Sequence, residues 1–405
     1  MKTIKKFTAA LCSLMMLPLG ACVTPSPNSS ESAVETSPSA SNTDSIETSS
    51  APETSSNEDL PVIDLDHIKQ HDNVERISNF NYYDFVDDGQ SYLKLVAVID
   101  DVVYLEKNTQ KTENTADIYY YQYNLSTGES EKFDGCVADW NASVDSYALV
   151  GDCIFFTIET LGEQVHYKVD LAAKTVTPLK SRPWNLDYSF VYTYPIDETS
   201  YIETYFDVDR DMLTYHVTLF TPEGEREIIT KSGDRNEDIY VYSASGGKIY
   251  ECSQRNHLSE VYVTTYDTNG EQVSSKFLQK VSDACQAEPN SFWEQIVPFG
   301  NYIAFNLGYE MPRNTCVLYD VANDKVSSMG DIHFTPYAQS SVSNDVQAVI
   351  TNAKSGDRAL MNSCYIDQTG SLTKLVGNLA YSFSVVNNED VIVILNGVQL
   401  YKATL

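Results

Sequence analysis

A chain of 405 residues with 27 Lys and Arg against 57 Asp and Glu carries a formal net charge of −30. That surplus of negative charge repels other polyanions, which excludes nucleic acid and anionic lipid headgroups as partners. The length exceeds the roughly 250–300 residues that one core usually organises, so two domains or one large repetitive fold is expected.

Lys2, Lys5 and Lys6 open the chain, a mostly apolar run follows from Phe7 to Leu19, and Leu19-Gly20-Ala21-Cys22 closes it. A short basic start, an apolar stretch too brief to cross a bilayer and small residues before a cut are the parts of a secretory signal. The Leu-Gly-Ala-Cys ending resembles the lipobox of bacterial lipoproteins. That resemblance implies that residues 1–21 are a signal peptide and that Cys22 is lipidated. The mature protein would then sit outside the cytoplasm, lipid-anchored to the bacterial cell membrane.

Residues 22–60 are mostly Ser, Thr, Pro, Glu and Asn, with hardly any large apolar side chain and no Lys or Arg. So little apolar surface cannot offset the entropy of ordering, and a disordered tether is expected. By the flexible-chain rule it reaches roughly 35 Å.

From residue 61 to 405 the composition turns globular. Without the leader's three lysines and the tether's seven carboxylates, 24 basic face 50 acidic residues, a net charge of −26. Neutral or cationic ligands suit such a surface. Cys136, Cys153, Cys252, Cys285, Cys316 and Cys364 are widely spaced, without a CxxC pair. Export permits disulfides, but their place in apolar strand patterns makes buried free thiols the default.

Short β-branched and aromatic runs separated by turn residues fill this region, with no long helix. Their turns repeat. YYYQYNLSTGE, HYKVDLAAKTV, YHVTLFTPEGE, YVTTYDTNGE, CVLYDVANDKV and SCYIDQTGS each place an apolar residue before Asn124, Asp170, Thr221, Asp267, Asp320 or Asp367. The steps between these residues are 46, 51, 46, 53 and 47. Asp, Asn and Thr close such turns through side-chain bonds to backbone amides. Two further strands precede most of these hairpins, and four strands per period indicate a β-propeller blade.

Runs such as VIVIL and CIFFTI are apolar at consecutive positions, as expected of strands covered on both faces. Stacked β-sandwiches, the competing all-β reading, would alternate more cleanly. The chain ends on three strands, and residues near Glu75–Asn79 are placed to supply the fourth, fastening the last blade to the first. Seven blades are expected; six or eight stay open because the Asp84–Thr115 region is irregular. By period, the domain resembles bacterial propeller lipoproteins, without the repeat signatures of any characterised propeller family.

Little in the sequence carries chemistry. GxSxG and HExxH are absent. His67 and His71 have zinc-ligand spacing without a glutamate base, and Asp207-Val-Asp-Arg-Asp211 opens like a calcium loop without its glycine or closing glutamate. No metal and no cofactor are expected. Aromatics recur in the loops from one blade's outer strand to the next blade's inner strand. They include Tyr82 and Tyr83, and as tentative ligand-binding residues Trp140, Trp184, Tyr188, Tyr240, Trp293, Tyr337 and Tyr381. Such rings can stack sugars or grip a peptide, although aromatics that begin an inner strand often pack between blades instead. A binding or scaffold module for a cell-surface saccharide, peptide or protein is therefore expected. An exported glycoside-cleaving or lyase-type enzyme and an envelope docking factor are the alternatives.

Overall fold

The computed structural model describes residues 68–405 apart from 87–90, 140–141, 143, 145, 184–190, 210–211, 235–236, 257–258, 287–291, 309–314, 331, 335–345, 356–357, 368, 378, 380–382 and 389. The leader, Cys22 and the tether fall outside that set.

Seven antiparallel sheets follow one another along the chain. Blade 1 comprises Ser91–Ile99, Val102–Gln110, Thr115–Asn124 and Ser130–Asp139, and blade 2 comprises Ala148–Val150, Cys153–Thr160, Glu163–Asp170 and Thr175–Pro183. Blade 3 is built from Tyr192–Pro195, Tyr201–Asp209, Met212–Thr221 and Gly224–Asp234, and blade 4 from Ile239–Ser245, Lys248–Arg255, Glu260–Tyr266 and Gln272–Phe277. Blade 5 holds Phe292–Phe299, Tyr302–Gly308, Thr315–Asp320 and Lys325–Gly330, and blade 6 holds Ile332–Phe334, Val346–Ser355, Arg358–Asp367 and Leu372–Val376. Blade 7 has Phe383–Asn387, Val391–Asn396 and Gln399–Thr404, completed by Val74–Arg76.

First strands touch between blades 2 and 3, 3 and 4, 4 and 5, and 7 and 1, and the other neighbouring blades meet through further strands, so the blades stand around a common axis. The molecule is a seven-bladed β-propeller. From Ser91 onward, the Asp84–Thr115 region that left the count open belongs to blade 1.

Burial follows position in the blade. Val391, Ile392, Val393, Ile394 and Leu395 are all buried, whereas the outer strand Gln272–Phe277 is exposed throughout. A second strand has a blade on each side, which is why consecutive apolar residues suit it. Among the described residues seven apolar clusters form, one at each junction between blades. The junction of blades 1 and 2 buries Ile118, Phe133, Phe156 and Val169, and that of blades 7 and 1 buries Leu95, Leu105, Val393 and Leu400. Blades 3|4, 4|5, 5|6 and 6|7 are cemented likewise. The cluster at the junction of blades 2 and 3 is smaller, with Ala148, Val150, Tyr201 and Phe220 as its buried members among the described residues.

All six repeated turns close as their side chains require. Asn124 Oδ1 accepts from the amides of Ser126 and Thr127 at 3.0 and 2.8 Å. Asp170 accepts from Ala173, Thr221 from Glu223, Asp267 from Asn269, Asp320 from Asn323 and Asp367 from Thr369. Gly270 has φ +80°, and where blades 2 and 5 lack a turn glycine, Lys174 (φ 58°) and Asp324 (φ 52°) take the left-handed position.

Closure is double. Val74 pairs with Ala403 and Arg76 with Tyr401, making the expected outer strand of blade 7, which begins one residue earlier and ends three residues earlier than the sequence indicates. Upstream, Lys69–Gln70 runs parallel to Leu372–Val376 as an unforeseen fifth strand of blade 6. His71 joins the two: its amide donates to Lys374 O, its Nε2 lies 2.8 Å from Thr404 O, and its ring meets Tyr365 edge-on. A structural role between strands thus accounts for His71; His67 lies outside the described residues. The one α-helix among the described residues, Gln279–Gln286, leads from blade 4 to blade 5, and Val281 in it and Leu278 just before it are buried against them. Cys136 and Cys153 are free thiols, and Cys252, Cys316 and Cys364 are fully buried.

Candidate functional site

Antiparallel order gives the ring two unlike ends. The hairpins between second and third strands and the connections from one blade to the next share the loop end. The hairpins after the first and third strands share the turn end. The loop end is tied together across blades: the Leu161 amide in blade 2 donates to Asp139 Oδ1 at the end of blade 1, at 2.6 Å. Residues 69–70 run in the same direction as an outer strand, so the described chain begins at the turn end.

Of the aromatics singled out from sequence, Trp140, Trp184, Tyr188, Tyr337 and Tyr381 lie outside the described residues. Trp293 and Tyr240 are not in loops as expected. Trp293 is the second residue of blade 5's inner strand, its side chain outside the described set, and Tyr240 is the second residue of blade 4's inner strand. The inner strands begin earlier than the turn residues suggest, because pairing to the second strand extends them. Tyr240 is half-buried, its ring edge-on to Tyr215 at 5.3 Å and its centroid 5.3 Å from Lys231 Nζ. Burial, then the charge of Asp238, pushes its hydroxyl up. Tyr82 and Tyr83 do occupy the connection into blade 1, in a short 3-10 turn capped by Asn81.

A different set of side chains is exposed at the loop end. Tyr83 is 67% exposed, Leu161 71% and Met212 43%. They lie over blades 1, 2 and 3, three consecutive sectors of the ring. Each has an exposed carboxylate beside it: Asp84 follows Tyr83, Glu163 stands two residues after Leu161, and Asp209 is the direct cross-strand partner of Met212. Sequence reading found only Tyr83, because a lone Leu or Met in a polar hairpin carries no periodic signal.

Beneath this arc the blade 2–3 junction is polar. Glu203, 1% exposed, takes Thr157 Oγ1 at 2.6 Å and His166 Nδ1 at 3.1 Å on one oxygen, and Arg182 Nη1 at 2.9 Å on the other. Arg182 also donates to Gln164 Oε1 and lies 3.9 Å from the Tyr205 ring. Burial alone would raise the Glu203 carboxyl, but the bonds from His166 and Thr157 and the Arg182 charge outweigh it and hold the group well below the usual carboxylate range. His166 Nε2 meets Tyr201 Oη at 2.8 Å. Burial, then Glu203, pushes that hydroxyl far up.

Glutamates are buried at two more junctions. Glu251 receives Lys231 on both oxygens, at 2.9 and 2.7 Å, and Tyr266 Oη at 2.8 Å. Glu106 accepts from Tyr120 at 3.1 Å and from Tyr147. Such groups are buried only where hydrogen bonds replace water.

Asp207 and Asp209 belong to the second strand of blade 3, and Asp207 Oδ2 lies 3.2 Å from His216 Nε2. Among the described residues no group of three or more His, Cys, Asp or Glu is placed to hold a metal ion.

The fold and this loop end define a β-propeller. No family model matches the sequence, and no curated protein does. Among solved structures the chain is similar to oligogalacturonate lyase in complex with manganese, at 9% identity and TM-score 0.50, covering 84% of this chain and 95% of that one. It is also similar to prolyl oligopeptidase B from Galerina marginata (9% identity, TM-score 0.49, 78% of this chain and 48% of that one). TolB from Acinetobacter baumannii is a third (12% identity, TM-score 0.39, 68% and 80%). This chain thus spans about half the length of the oligopeptidase. At such identities the likeness is one of fold.

Proposed function

We propose that this propeller is a binding or scaffold module of the bacterial cell surface, anchored by a lipid on Cys22 and recognising a saccharide, peptide or protein through its loop end. The observation that carries the reading is the set of large side chains left in water at the loop end: Tyr83 in the connection into blade 1, Leu161 and Met212 at the hairpins of blades 2 and 3, and Val398 at the hairpin of blade 7. Exposed apolar side chains grouped in this way mark interaction surfaces. The described chain begins at the opposite end, away from these loops.

A thermal-shift screen of the full chain against cell-wall fragments, glycans and peptides tests recognition. A ligand of the native state raises the melting temperature, and replacing Tyr83, Leu161 and Met212 with Ser should remove that rise. A shift untouched by these changes would place binding elsewhere. For the anchor, Cys22→Ser should move the protein from the membrane fraction to the soluble fraction. Retention on the membrane would refute lipidation at Cys22. Among the described residues no helix is long and apolar enough to cross a membrane.

A further inference from the structure

One outer edge of this ring already carries a further strand. Lys69–Gln70 pairs with the outer strand of blade 6 at Thr373 and Lys374, beside the register slip at Ser363/Cys364, so such a slip does not bar pairing. Most other outer edges are blunted against it. That of blade 1 carries Glu131 and Asp134, that of blade 2 Pro178 and Pro183, and that of blade 3 Glu225 and Glu227. Blade 7 ends on three residues, and in blade 5 Val326 is buried. The outer strand of blade 4, Gln272–Phe277, is the free edge of its sheet, and every residue in it is exposed. It holds no proline and no acid, yet Val273 and Phe277 are 64% and 39% exposed. Its one charge, Lys276, reaches sideways to Asp324 of blade 5. Its register slip lies at its start, and Ser274 to Phe277 pair regularly.

We propose that the outer strand of blade 4 pairs antiparallel with the same strand of a second copy of this chain, joining the two blades into one continuous sheet across a two-fold axis. Val273, Ser275 and Phe277 alternate onto one face; within the blade Ser275 stands opposite Thr264, and Phe277 opposite Tyr262. With Ser275 on the axis, Val273 of each copy lies across from Phe277 of the other. A β-branched and an aromatic residue make a favourable cross-strand pair, and the axis repeats it. The flanks are complementary in charge. Glu271, exposed just before the strand, falls near Lys280, exposed just after it, of the other copy, and this pair also occurs twice. An unrelated extended segment would need the same spacing of apolar side chains and the same reversal of charge to match as much. The contact is small, so the dimer belongs with weak, transient interfaces.

Sedimentation equilibrium of the full chain carrying Cys22→Ser, which removes any lipid-driven association, is the test. From about 10 µM to about 1 mM the average mass should rise from that of a monomer toward that of a dimer. Replacing Val273 and Phe277 together with Lys should weaken association at least about tenfold; both side chains are exposed, and circular dichroism should match the parent. Glu271→Lys should weaken it about threefold, and adding Lys280→Glu should restore it. Ser275→Cys places two thiols directly opposite each other, within reach of a disulfide, so mild oxidation should give a dimer band that reductant removes. Ser232→Cys, exposed on the outer strand of blade 3, should give no more dimer than the parent.

A mass that stays monomeric up to about 1 mM would overturn the proposal. So would a dimer that the Val273 and Phe277 changes leave intact, because it would use another surface. Growth beyond a dimer would contradict a closed two-fold contact. Equal cross-linking of the Ser275→Cys and Ser232→Cys proteins would reduce that result to random collision. Failure of Lys280→Glu to restore the Glu271→Lys protein would remove the register that selects a second copy, and the proposal with it.

Discussion

Glu203 shows how one residue can hold two blades together. Its carboxylate is buried, and its partners come from both strands of a neighbouring hairpin and from an outer strand: Thr157, His166 and Arg182 of blade 2. Removing one partner from a buried ion pair leaves a desolvated charge behind. Glu203→Ala should therefore cost about 3 kcal/mol, measured as a lowered urea midpoint. Glu203→Gln keeps the shape and should cost less. A loss below about 1 kcal/mol, the worth of an exposed pair, would mean that water reaches this junction. The exposed pair Lys174–Glu131 is a contrast, because Lys174 also sits at φ 58°. A left-handed backbone costs a non-glycine residue about 1 kcal/mol, as much as the exposed pair can return. Lys174→Gly should therefore be neutral to slightly stabilising. Gly270→Ala should cost at least about 2 kcal/mol: its φ is +80°, and an added Cβ would meet Ile228 O at 2.4 Å.

At the scale of the hairpin, the turn carboxylates link stability to pH. Amide bonds hold Asp170 and Asp267 low, from Ala173 and Glu271 respectively, and the Asn323 side chain does so for Asp320. A carboxyl depressed in the folded state contributes stability above its unfolded value, about 3.9, and loses it as pH falls through the folded value. The urea midpoint should thus fall below about pH 4. Replacing these three residues with Asn, as Asn124 already stands in blade 1, should flatten that acid limb. An unchanged limb would show that other carboxylates govern it. These turns were legible in the sequence because their chemistry is local: a side-chain oxygen and amides two or three residues on. What was not legible depends on the neighbouring strand or blade. In blades 1 to 6 the register slips between third and outer strands, for example at Val217/Thr218 and Ser363/Cys364. A bulge there twists the outer strand away from edge pairing, and nothing in the local residues announces it. Glu106, Glu203 and Glu251 were equally hidden, since a glutamate within a strand looks solvent-facing until the next blade supplies its partners. At the candidate site Tyr83 was visible as an aromatic beside a strand, but Leu161 and Met212 gain meaning only once their hairpins share an end with it.

The whole molecule stands or falls with the ring. Each junction buries apolar residues supplied by two blades, and blade 7 takes its outer strand from the front of the chain. Without that strand the last blade would present an open edge. A chain beginning at Ser78 should therefore melt well below one beginning at residue 61, which keeps both Lys69–Gln70 and Val74–Arg76. The loop-end arc exists only because blades 1, 2 and 3 are held side by side, so recognition depends on closure as well. Hydrogen exchange at the amides of Val74 to Arg76 is the most direct measurement of it. If the ring is closed, those amides that bond to Gln399–Thr404 are protected to the same degree as the buried strand Val391–Asn396 and lose protection with it on global unfolding. Exchange there as fast as in a free peptide, while blade 7 stays protected, would mean that the front of the chain does not close the ring.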